Sequence, residues 1–140
     1  WSINDTFCNN FKMAKKEPEK VWDFLMSYKD SRDEFETRVV AVMLMSHFLT
    51  DAYIDRVLTV LGNLHTAGYY TTMGIAWAYA TAWAKYPKKT KEYLLRHPID
   101  TETYHKTLRK CLESYRISDE DKNWIREVEL INVRKQMEDE

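Results

Sequence analysis

Trp1 and Asp5 stand four residues apart. On an α-helix, residues i and i+4 share a face, so an indole and a carboxylate project side by side. An acid on an inward-facing stripe needs something to meet. Arg38 and Trp77 fall at similar depth in two later helical segments. If those segments stack in register, one acid, one permanent positive charge and two indoles converge on a single groove. A preorganised carboxylate stabilises developing positive charge. A guanidinium suits an anion, because its fork binds two oxygens at once. Indole faces attract cationic or polarised groups through their quadrupole.

Other reactive residue types are less organised. His47, His65, His97 and His105 lack metal-ligand spacing, and no general-base partner is evident in the sequence. Cys8 and Cys111 lack CxxC or zinc-type spacing and read as reduced, buried thiols, which fits a cytoplasmic protein. No metal or cofactor is expected.

The elements that position these residues are helical. Periodicity predicts helices over 2–15 and 18–28, the second with Pro18 in its first turn, then a polar break at 29–33. An apolar helix over 35–49 follows. Thr50 and Asp51 are expected to cap a helix through Leu64 whose Ile54, Val57, Leu58 and Leu61 recur at helical spacing. Further helices are expected over 69–86, 87–96 and 101–115, the last with Asp100 as N-cap. Ser118-Asp119-Glu120-Asp121 opens a final helix with an acidic first turn. The stretch 128–140 ends in alternating charges and reads as frayed or a tail.

Breaks near Ser31, Ala67 and Asp100 recur roughly every 33 to 36 residues, the spacing of stacked helix pairs. The expected fold is therefore all-α, a HEAT-like α-solenoid of about four antiparallel helix pairs forming one domain over residues 1–140. Composition agrees. The chain has 44% hydrophobic and 31% charged residues with only 3 Gly and 3 Pro, too few turn formers for an all-β protein. The formal charge of −1 gives no overall basic signature, so any nucleic-acid face must be local. No apolar run has the length of a membrane span, and no membrane partner is expected. The chain begins at Trp1 without an initiator Met, so it is expected to be the C-terminal part of a longer protein.

The residues resemble the HEAT-like DNA alkylation repair glycosylases of the AlkD type. The resemblance is carried by Trp1-Ser2-Ile3-Asn4-Asp5-Thr6-Phe7-Cys8, Glu34-Phe35-Glu36-Thr37-Arg38, Tyr69-Tyr70 leading into Ile75-Ala76-Trp77, and Tyr115-Arg116-Ile117-Ser118. These segments occur in the family's order and separations across essentially the whole chain. The resemblance implies a metal-independent DNA N-glycosylase that excises cationic N3- or N7-alkylated purines from duplex DNA. Asp5 would then be the catalytic carboxylate. Trp1 and Trp77 would cradle the sugar and backbone of the lesion, Arg38 would hold a nearby phosphate, and Tyr69 and Tyr70 would contact the nucleic acid. An alkylated purine already carries positive charge and leaves neutral, so the transition state places its charge on the deoxyribose, where a carboxylate helps most. The chain departs from the family at Met73, where many members carry a basic residue, and lacks the family's additional N-terminal helices. Little or no activity is expected of this stretch by itself. The expected partner is duplex DNA containing alkylated bases, met by a monomer.

Plainer readings stand beside each of these. Trp1 and Asp5 could be an exposed indole and a surface carboxylate. Arg38 could pair with Glu34, its i−4 neighbour. Trp77 could be core, since Ile75, Tyr79 and Trp83 surround it in sequence, and Tyr69 and Tyr70 could anchor adjacent helices. Lys85, Lys88, Lys89 and Lys91 could be a solvated helix junction or a DNA-backbone contact. Trp22, Trp83 and Trp124 are assigned to packing. The rival function, from another class, is a non-catalytic HEAT-like scaffold that binds DNA structure or a protein partner.

Overall fold

The computed structural model describes residues 13–66, 68–97 and 99–139, with side chains at 15–66, 68–97, 99–129 and 137. Among the described residues the protein is all-helical, with no strand. The segments are α1 (Met13–Lys16), α2 (Pro18–Met26), α3 (Glu34–His47), α4 (Ile54–Asn63), α5 (Tyr69–Lys85), α6 (Pro87–Arg96), α7 (Thr101–Glu113) and α8 (Asp119–Asp139).

Local sequence explains most of the starts. Pro18 and Pro87 occupy the first turn of α2 and α6, where the missing N–H costs nothing and the fixed φ is already helical. Asp33 caps α3 by accepting from the Glu36 N–H at 3.0 Å. Asp100 caps α7 as expected, accepting from both Thr103 N at 3.2 Å and Thr103 Oγ1 at 3.1 Å.

Two expectations need correction. Thr50 and Asp51 do not directly cap α4, whose N-cap is Tyr53 without a side-chain cap. The Asp51 carboxylate instead accepts from the Tyr86 hydroxyl at 2.8 Å, and a turn closed by Tyr53 N to Thr50 O leads into the helix. The C-terminal stretch is not a tail in backbone terms, because α8 runs to Asp139. It contains no Gly or Pro, and Glu, Lys, Arg, Gln and Met are good helix formers without a continuous apolar stripe.

The core centres on α5, which packs against α3 on one side and α7 on the other. Gly74, Ala76, Ala78, Ala80 and Ala82 are all buried along it. Small residues let neighbouring backbones approach, while Ile75, Tyr79 and Trp83 fill the larger spaces. α3 is buried over most of its circumference, from Thr37 and Arg38 through Met45. α4 and α6 touch each other and both contact α5. α4 buries Ile54, Val57, Leu58 and Leu61 as its spacing predicts, whereas α6 buries only Thr90 and Leu94. Cys111 is a free, fully buried thiol on α7. Burial, with a further contribution from the Asp121 carboxylate, pushes its pKa up to about 12.

Side-chain bonds between helices recur at the separation the sequence breaks suggest. Glu19 accepts from Tyr53 at 2.6 Å, Asp51 from Tyr86 at 2.8 Å and Asp55 from Lys89 at 3.4 Å, partners 34, 35 and 34 residues apart. Thr37 and Thr71 share a hydroxyl bond of 2.8 Å across 34 residues. The Tyr53 bond, followed by Arg56, holds the Glu19 carboxyl below its ordinary range. Trp22 is buried, edge-on to Phe48 and tilted against Tyr53, and Trp83 and Trp124 pack together with centroids 6.1 Å apart. All three therefore pack as expected.

Candidate functional site

Trp1 and Asp5, the proposed acid and its neighbouring indole, lie outside the described residues, as does Cys8. The geometry on hand is that of Arg38, Tyr69, Tyr70 and Trp77, together with what surrounds them.

Arg38 is not a surface residue; it is only 8% exposed. Its side chain lies across α5, and Nη1 donates to the Tyr70 carbonyl at 2.8 Å. Gly74 makes room for it. A Cβ there would stand 3.1 Å from Nη1 and 3.4 Å from Cγ, tight enough to displace the guanidinium. Glu34 takes a different route from the expected i−4 pairing. Its Oε1 accepts from the Tyr70 N–H at 2.8 Å, so α3 holds both backbone polar groups of one α5 residue, in two successive peptide units. Arg38→Ala is expected to lower folding stability by about 2–3 kcal/mol through lost packing of the buried stem and a lost charged hydrogen bond. The midpoint of urea unfolding checks this, and a shift worth under about 0.5 kcal/mol would contradict it.

Tyr69 and Tyr70 stand 61% and 43% exposed at the start of α5. Their rings meet edge to face with centroids 5.5 Å apart, and Lys106 Nζ from α7 lies 5.5 Å from the Tyr69 ring centre. Two turns further along the same face comes Trp77, half-buried and packed against the core. Trp77 is therefore neither wholly core nor wholly surface. It lines a cleft of about 220 Å³ with Ala80, Thr81, Ala84, Lys110, Ser114 and Arg116, into which Glu113 also faces. Ser114 Oγ accepts from Arg116 N at 3.2 Å, turning the chain around Tyr115, which is fully exposed.

The charges differ in how far they are committed. Lys89 and Lys91, from the cluster at the α5–α6 junction, reach Asp55 and Asp121 at 3.4 and 3.8 Å. Lys91 also lies 4.4 Å over the Trp124 ring, so it serves packing. Lys106 is 3.8 Å from Glu102. Among the described residues, Lys110 and Arg116 make no ion pair. A cleft lined by an indole, two such cations and one carboxylate has an excess of positive charge, which suits an anionic ligand that also carries a ring.

Lys110 was not singled out by sequence reasoning, and Arg116 entered only within the Tyr115–Ser118 segment, although Lys106 and Lys110 are spaced four apart on one α7 face. Among the described residues, no group of three or more His, Cys, Asp or Glu side chains converges as a metal site. His97 stacks on Tyr93 with centroids 4.4 Å apart. No described helix is long and apolar enough to cross a membrane. No family model, curated protein or solved structure matches the chain.

Proposed function

We propose that this protein is a HEAT-like DNA-repair glycosylase that excises cationic alkylated purines from duplex DNA, with the α5–α7 face forming part of its DNA groove. The observation that carries the DNA reading is the cleft in which Trp77 lies with Lys110 and Arg116, which make no ion pair among the described residues, and with a single carboxylate, Glu113. Phosphates need positive charge, and a sugar or base needs an apolar face; the cleft offers both. Placement of α5 between α3 and α7, with bonds recurring at 34 to 35 residues, supports a solenoid in which these helices line one surface. Excision itself is supported by the resemblance that places Asp5 as the carboxylate.

In this reading Trp77 presents its indole to deoxyribose, while Lys110 and Arg116 neutralise flanking phosphates. Arg38 contributes a buried positive charge beside Tyr70, and Tyr69 and Tyr70 offer rings and hydroxyls to the strand. Asp5 stabilises the oxocarbenium-like sugar as the neutral purine leaves, then orients the attacking water. A DNA-binding scaffold without catalysis remains the second reading, because the cleft serves binding equally well.

Titrating a labelled duplex with protein at several salt concentrations tests the DNA reading. Lys110→Ala and Arg116→Ala are each expected to weaken binding and to lower the slope of log affinity against log salt by about one. Arg38→Ala should also weaken binding and flatten the slope. Unchanged affinity and slope in the Lys110 and Arg116 variants would remove the cleft from the DNA groove. Unchanged affinity of Arg38→Ala at two salt concentrations would count against a contribution from its buried charge.

A further inference from the structure

We propose that Glu34 is a positioning residue for the nucleic-acid face, setting the Tyr69–Tyr70 ring pair by holding the first turn of α5, an inference that rests on the DNA-binding reading above. The first N–H groups of any helix lack partners within it, and a Ser, Thr, Asp or Asn at the N-cap usually supplies one. Here the N-cap is Gly68, which has no side chain to offer. The acceptor comes instead from Glu34 on α3, whose Oε1 lies 2.8 Å from the Tyr70 nitrogen.

Gly68 and Glu34 form a matched pair. A Cβ at Gly68 would stand 2.7, 2.8 and 2.9 Å from the Glu34 carboxylate atoms, so only glycine leaves that seat open. The negative charge is also favoured by the positive end of the α5 dipole. Arg38 then grips the carbonyl of the same residue, Tyr70, at 2.8 Å. Thr71 is fixed in turn by Thr37 at 2.8 Å and by the Glu34 carbonyl at 3.2 Å. The backbone beneath the two exposed rings is thus tied to α3 at consecutive residues. An exposed aromatic pair on a fixed backbone has less freedom to lose on binding, which is what preorganisation requires.

This role opposes simple electrostatics, and the opposition makes it testable. Removing a carboxylate near a polyanion should tighten binding if charge alone matters, and Gly68→Ala, which changes no charge, should do nothing. Positioning demands the reverse. Both Glu34→Ala and Gly68→Ala should weaken duplex binding, by roughly three- to tenfold. The double variant should bind no more weakly than the poorer single variant, because both remove the same contact. Glu34→Gln, whose carbonyl can accept the same bond, should restore most of the affinity. In a Tyr69→Ala/Tyr70→Ala background, Glu34→Ala should have no further effect, which a general loss of stability would not reproduce.

The experiment is duplex binding by fluorescence anisotropy on the full chain, with a thermal melt confirming that each variant is folded. Wild-type protein that binds DNA while Glu34→Ala binds equally well or more tightly would overturn the positioning role and leave the DNA reading intact. If Glu34→Ala fails to fold, unchanged affinity in Gly68→Ala overturns it in the same way. Wild-type protein that does not bind DNA would overturn both.

Discussion

Trp83→Ala is expected to cost about 3–5 kcal/mol of folding stability, a large share of the 5–15 kcal/mol typical of a domain. Trp83 is 1% exposed and is among the largest fully buried side chains described. Its removal leaves a cavity in α5, the helix on which α3 and α7 both pack. The loss also reaches beyond the void. Trp83 Nε1 donates to Asp121 Oδ2 at 3.0 Å, and Asp121 Oδ1 lies 3.8 Å from Lys91, whose ammonium sits over the Trp124 ring. One indole therefore ties α5 to a charged cluster shared by α6 and α8. Trp83→Phe keeps an aromatic ring but leaves Asp121 without its donor, and should cost less, about 1–3 kcal/mol. Urea unfolding measures both. A Trp83→Ala midpoint corresponding to less than about 1 kcal/mol would show that the core does not depend on this residue.

The fold was legible where sequence signals are local. Pro18, Pro87 and Asp100 mark helix starts by mechanisms that act within one turn. The spacing of breaks foreshadowed bonds such as Tyr53 to Glu19 and Tyr86 to Asp51, which connect residues 34 and 35 apart. Asp51 shows the limit. In sequence it sits where an N-cap belongs, yet its carboxylate finds the Tyr86 hydroxyl at the junction of α5 and α6.

The site was less legible for the same reason. Glu34 and Arg38 stand four apart and look like an ordinary helical ion pair. Their connection through the Tyr70 backbone N–H and carbonyl exists only once α3 and α5 pack, and nothing in the spacing announces it. Beside the break near Ala67, Gly68 holds a further signal: a glycine at a helix start can mean that another element supplies the cap. Trp77 sat between a core and a groove assignment, and its half-buried place in the cleft accounts for that ambiguity. Lys110 drew no attention because a lone cation on a helix is common, and Arg116 entered only as a member of the Tyr115–Ser118 segment; their convergence on an indole is what distinguishes them.

Release of 7-methylguanine from methylated duplex DNA tests most directly the proposal that Asp5 drives excision of a charged base. Single-turnover release by the full protein should be measured alongside the Asp5→Asn variant, with duplex affinity determined for both. The substitution keeps size and hydrogen-bonding capacity while removing the negative charge that would face the oxocarbenium-like sugar. Release is expected from the protein carrying Asp5 and is expected to fall on the order of a hundredfold or more in Asp5→Asn, with DNA affinity essentially retained. Equal release by the two proteins, or DNA binding with no release by either, would contradict the catalytic assignment.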